Sequence, residues 1–199
     1  MRIRLGRAPI IAARTRAEAP PRRRLPWSGS EPSLAPMADA GKDLKPVPVR
    51  RRSAARLAAV QLSYQGQMSG QSVAEFLPAF LTHYSDEIRK SFRVKDIDNA
   101  HLNALATAVE AQREMLDTAL GDCLADGWTI ERLTVLDRAV LRAGACELMT
   151  MPQLPARAVV SEYAAIADVC GCDVGFVNAV LDRVAHKARK VEMTGQGDI

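Results

Sequence analysis

The chain has 199 residues with 48% hydrophobic content, enough for one globular domain with a tail. No run approaches the roughly 18 unbroken apolar residues of a membrane span. The formal net charge of +4 is unevenly placed: residues 1–56 hold fourteen Arg or Lys against four acids, net +10, and the remainder is −6. A basic arm on an acidic body suggests a local polyanion contact, not a protein coated with positive charge.

Residues 1–48 read as a disordered Arg/Pro-rich tail. Eight of the eleven prolines lie there and apolar periodicity is absent, so burial cannot offset the entropy of ordering. Its Arg-rich, acid-free first residues superficially resemble a transit peptide. The stronger reading is that residues 1–36 are an upstream extension, because "MADAGKDLKP" from Met37 looks like an ordinary bacterial start.

From Arg50 the pattern is helical almost without interruption. A first helix is expected over about 50–66, with Leu57, Val60, Gln61 and Tyr64 along one stripe and Gly66 and Gly70 at its end. A second is expected over about 71–84, where Val73, Phe76, Leu77, Phe80, Leu81 and Tyr84 keep helical spacing and Pro78 predicts a kink or a late start. The charged connector "SDEIRKSFRVKDID" follows. A long third helix spans about 98–120, with Asp98 as N-cap. Thr134-x-x-Asp137 opens a helix over about 134–149 that is apolar on most sides, the mark of a bundle's buried centre. Its polar exceptions Asp137, Arg138 and Arg142 share one side. Helices over about 157–170, stopped by Gly171, and about 174–190 complete the body. The expected domain is 49–192, all-α with six or seven helices, and 193–199 is a flexible end.

Cys123, Cys146, Cys170 and Cys172 lack C-x-x-C spacing, and three fall in apolar helical stretches, so they read as buried thiols in a reducing cytosol. The sequence has no phosphate-loop, dinucleotide, zinc-protease or nucleophile-elbow motif, and His83, His101 and His186 are far apart. No catalytic residue, cofactor or metal is expected, and the chain reads as a non-enzyme.

The sharpest local signal is "RRRSAARLAAVQLSYQ", Arg50 to Gln65. Arginines at a helix N-terminus oppose the macrodipole, at a cost of a few tenths of a kcal/mol each. Free N–H groups and guanidinium forks there could hold phosphate, with RNA a reasonable polyanion. A merely soluble, frayed tail explains the run about equally well.

That stretch, together with "LDRAVLRAGACELM" and "ARAVVSEYAAIADVCG…FVNAVLDRVAHKAR", resembles the NusB family of bacterial transcription antitermination factors over about residues 48–190. The resemblance implies a compact helical fold of two packed subdomains. It implies binding to the boxA element of ribosomal RNA leaders, a heterodimer with the ribosomal protein NusE, and entry into an RNA polymerase antitermination complex in the cytoplasm. It also implies self-association of the free protein in some members. By resemblance, Arg50, Arg51, Arg52 and Arg56 take the RNA-binding role with Tyr64, and Phe176 borders the RNA surface, with core packing as its alternative. Asp137 and Arg142 match a partner-binding face, although an ion pair explains Arg142 at least as well. Glu162, also assigned to partner binding by the resemblance, sits where the family reads "NEA" and this chain reads "SEY". Asp173 matches an acidic loop residue and is likewise assigned to partner binding, and Asn178 is expected to be structural, a polar group in an apolar helix that finds its hydrogen-bond partners in loop backbone. A helical module that binds a basic ribosomal protein without its own RNA site is the alternative function. Such domains are also found fused to an RNA cytosine methyltransferase, but no catalytic domain is expected after this one.

Overall fold

A computed structural model describes residues 46–195 of the protein. The expected tail, including the start at Met37, lies outside the described residues apart from Pro46, Val47 and Pro48. Those three already belong to the first helix and its cap.

Among the described residues the fold is helical throughout: α1 (Val47–Ser69), α2 (Val73–His83), α3 (Ser85–Ser91), α4 (Asn99–Ala111), α5 (Arg113–Gly121), a 3₁₀ turn (Ile130–Arg132), α6 (Val135–Thr150), α7 (Ala156–Cys170), α8 (Val174–Ala188) and α9 (Lys190–Thr194). Nine α-helices stand among those residues where six or seven were expected. The charged connector carries α3, and the long third helix breaks at Gln112, whose φ of −108° and ψ of 19° end α4 and begin α5.

Local chemistry sets most helix ends. α1 begins earlier than expected because proline is tolerated in a first turn, where its missing N–H is unused, and Pro48 sits there. It also runs through Gly66 and stops at Gly70, left-handed at φ 74°. Ser72 and Glu75 form a reciprocal capping box on α2, and Pro78 is carried inside that helix. Asp98 caps α4 by accepting the His101 N–H, and Thr134 caps α6 by accepting the Asp137 N–H. Gly171 ends α7 at φ 73°.

α1 to α4 pack on one another around Leu57, Val60, Leu62, Phe80, Ile88, Leu102 and Leu105. α7 and α8 pack as a second layer on α6, with α5 closing its side. α6 touches both groups, and every residue from Ala139 to Leu148 is buried. This is the all-round burial that its apolar sequence predicted. At the crossing with α8 the helices come so close that a Cβ on Gly144 would stand 2.6 Å from a Leu181 methyl.

α9 staples the far end. Arg189, just before it, donates from Nε to the Leu148 carbonyl at 2.6 Å and from Nη2 to the Met151 carbonyl at 2.8 Å, capping the free carbonyls at the end of α6. Glu192 accepts the Ala156 N–H at 2.6 Å, which serves the start of α7 where Pro155 has no capping side chain. Met193 is buried, and α9 carries helix to Thr194, two residues past the expected domain end.

Candidate nucleic-acid interface

The first two turns of α1 place the four arginines in two different environments. Arg51 and Arg52 are exposed, and Arg50 is half-buried. All three lean on the segment between α3 and α4. Arg50 Nη1 donates to the carbonyls of Phe92 at 3.1 Å and Arg93 at 2.9 Å, and Arg51 Nε donates to that of Asp96 at 3.2 Å. The Asp98 N–H in turn donates to the Arg51 carbonyl at 3.2 Å, and Arg52 Nε lies 3.6 Å from the Asp98 carboxylate. The triplet therefore fastens a connector as well as presenting charge. That connector contains Arg93 at φ 50°, the left-handed region, where a residue with a Cβ costs roughly 1–2 kcal/mol. Its conformation ends α3: the Arg93 N–H bonds back to Lys90 and the Val94 N–H to Arg89.

Arg56 is not on that surface. One further turn along α1, it is 5% exposed, and its Nε stands 2.9 Å from both carboxylate oxygens of the fully buried Glu147 on α6. Its Nη1 lies 3.5 Å from Glu162 on α7. Ser53 donates its hydroxyl to Glu162 as well, and its Oγ also lies 3.1 Å from the Val49 carbonyl. Glu147 further takes the Tyr163 hydroxyl at 3.1 Å and faces His101 Nε2 at 2.8 Å. Burial first, and the Glu147 carboxylate next, push the Tyr163 phenol well above its usual range. A guanidinium this enclosed cannot reach a phosphate without taking its positive charge away from two buried carboxylates. This corrects the expected RNA-binding role of Arg56.

Glu162 is likewise buried at 8% exposure and serves that cluster, so its expected place on a partner-binding face does not fit. Arg142 is 6% exposed and grips Asp117 of α5 with two 2.7 Å hydrogen bonds, while Nη1 donates to Gln67 of α1 at 2.8 Å. It ties α6 to α5 and α1, which is the ion-pair alternative in place of a partner contact. Asp137 is half-buried and accepts the Thr134 hydroxyl at 2.7 Å; burial first, and the Asp137 carboxylate next, push the Cys172 thiol up. Asp173 is exposed and caps α8, accepting the Phe176 N–H at 2.9 Å. Asn178 is exposed, so the core hydrogen-bond role expected of it does not arise.

Tyr64 is half-buried against the core. Phe176 is half-buried too, with its ring 6.0 Å from that of Trp128, which is 49% exposed. The Arg132 guanidinium stands over the Trp128 ring at 5.2 Å. Sequence reasoning missed Glu147 and Asp117 as ion-pair partners and His101 as a hydrogen-bonding neighbour of Glu147. A single carboxylate inside the apolar run "AGACELM" was the available signal, because a buried charge requires a counter-charge.

The NusB family model matches residues 53–186. A transcription antitermination protein NusB of Rhodopseudomonas palustris strain HaA2 is 38% identical over 167 residues, 79% of this chain and 99% of that protein. The NusB of Caulobacter vibrioides is 38% identical over 143 residues, 71% of this chain and 96% of its own. Among solved structures, NusB of Aquifex aeolicus is 23% identical with a TM-score of 0.54, covering 75% of this chain and 95% of that one. The antitermination factors NusB and NusE in complex with double-stranded RNA contain a chain 22% identical at a TM-score of 0.55, covering 69% of this chain and 98% of that one. These structural likenesses give the helical fold, and the family match together with the full-length relatives gives the lineage: the chain belongs to the NusB family.

Proposed function

We propose that this protein is a non-enzymatic transcription antitermination factor that binds the boxA element of ribosomal RNA leaders through the start of α1. It works as a heterodimer with the ribosomal protein NusE, joining elongating RNA polymerase in the cytoplasm. The relatives described as transcription antitermination proteins support this. So does the likeness to a chain in a complex of NusB, NusE and RNA. The observation that carries the RNA site is the exposed Arg51 and Arg52 pair in the opening turns of a helix, on a body whose own charge is slightly negative. Phosphate contacts supply affinity, and unpaired bases supply discrimination. NusE adds a second RNA-contacting surface and so raises affinity by linkage.

The test is a titration of boxA RNA with the full chain, with and without NusE, over a range of salt. Changing Arg51 and Arg52 together to Ala is expected to weaken binding and to lower the salt slope by roughly 0.7 for each phosphate no longer neutralised. Arg56 is left in place, because removing it would disturb the core. Unchanged affinity and slope would sink the RNA assignment. That result would support the protein-interaction reading, which draws on the hydrogen bonds and the ion pair that the triplet already makes within the protein.

A further inference from the structure

The described body is close to electrically neutral, yet its cations are not evenly spread. The triplet on α1 and the connector from Arg89 to Lys95 lie against each other through the Arg50 and Arg51 hydrogen bonds. Beside that seam is an open concavity lined by Lys90, Arg93 and Lys95 with Arg89 and two acids, Asp86 and Asp96. Asp86 is taken up by Arg89. Lys90, Arg93 and Lys95 are exposed, and among the described residues none of the three forms an ion pair.

We propose that this concavity is a second phosphate-binding segment, in which Arg93 and Lys95, with Lys90, hold the backbone of the same RNA that Arg51 and Arg52 contact. The inference rests on the RNA-binding function proposed for α1 and extends that site across the connector.

Three observations carry it. Lys90, Arg93 and Lys95 form no ion pair among the described residues, and with Asp86 taken up by Arg89 they face only the Asp96 carboxylate in the concavity, so net positive charge is available to a ligand. Arg50 donates to the Arg93 carbonyl, so the connector's position relative to the triplet is set by the triplet itself. Finally, Arg93 occupies a left-handed position that favours glycine. Asparagine or glycine would close α3 with less strain, so the bulky cation is kept there against local preference. Strained residues of this kind concentrate where a side chain must be aimed at a ligand. Single-stranded RNA is the fitting occupant, because a row of separated point charges follows a phosphodiester backbone at no cost in base specificity.

The left-handed position also supplies a discriminating variant. Arg93→Gly removes the charge while relaxing the backbone, so the protein should be as stable as the parent or more so. With boxA RNA and the full chain, R93G combined with K95A is expected to bind about tenfold or more weakly near 0.15 M salt, about fourfold for each charge removed. The slope of log affinity against log salt should fall by about 1.4. R93K, which keeps the charge, should bind like the parent. Parental affinity and slope in R93G/K95A, alongside weakened binding in R51A/R52A, would overturn the second segment and leave the first standing. No RNA binding by the parent protein, with or without NusE, would overturn both. Parental RNA affinity accompanied by weaker NusE binding in R93G/K95A would give the concavity to a protein partner, and that too overturns the proposal.

Discussion

Arg52 and Arg56 are one helical turn apart on the same helix and have opposite fates. Arg52 has 46% of its side chain exposed and faces one partly exposed carboxylate at 3.6 Å. Arg56 has 6% exposed and is enclosed by Glu147, with Glu162 beside it. Near the surface the Coulomb gain of an ion pair is small and screened, typically below about 1 kcal/mol. In the core the same pair is held by necessity, because losing one partner strands the other where water cannot reach it. The arginine run is therefore two devices in sequence, a charged surface and the anchor that fixes the helix presenting it.

The comparison can be broken most forcefully from the acidic side. Replacing Glu147 by Ala should destabilise the protein by about 3–5 kcal/mol, since Arg56 is left buried without its main counter-charge. Urea denaturation of E147A beside the double variant R56M/E147L measures this. The double variant should recover part of the loss, because an apolar pair of similar volume removes the Arg56 and Glu147 charges together while Glu162 loses its contact with Arg56 and the Tyr163 hydroxyl its acceptor. Equal losses in the two would mean that packing, and not pairing, dominates the site.

Next in size is Gly144→Ala. The new methyl meets Leu181 at 2.6 Å and the Tyr163 ring at 3.2 Å. Overpacking of this kind costs about 1–3 kcal/mol, read as a lower thermal midpoint. Because Tyr163 also donates to Glu147, the loss in G144A should be less than additive with E147A.

A smaller effect should come with alkaline pH. Burial pushes the Cys170 thiol from 9.0 up to about 11, and burial with the Asp137 carboxylate pushes Cys172 up as well. The unfolded chain therefore sheds these protons first, near its ordinary thiol value of 9.0. The stabilisation is complete below that and declines as pH rises towards about 11. Urea midpoints between about pH 8 and 10.5 should fall, and fall less steeply in a Cys170→Ser/Cys172→Ser variant. A pH-independent midpoint would show that these thiols are solvated.

The smallest stability change belongs to the surface arm. R51A/R52A should stay within about 0.5 kcal/mol of the parent while its RNA affinity falls. A large stability loss would show that fastening the connector, and not presenting charge, is the triplet's main work.

Much of the fold was legible from local chemistry. Asp98, Thr134 and Gly171 sit at the helix ends their residue types predict, and the apolar run of α6 is buried from Ala139 to Leu148. Helix breaks were less legible. Gln112 carries no terminating signal, and α3 hides in a charged stretch because it is held by packing against α1 and α2. The site divided the same way. That arginines gather before an apolar helical stripe is a property of residue order, and so is the charge imbalance between the front of the chain and its body. Which arginine faces water is not, because on one helix Arg52 and Arg56 differ only in what other helices bring against them. Glu147 lies 91 residues from Arg56, and Asp117 lies 25 from Arg142. Those pairings are fixed by the packing of α6 against α1 and α5, and the energy of a charge depends on whether that packing leaves it in water or in the core.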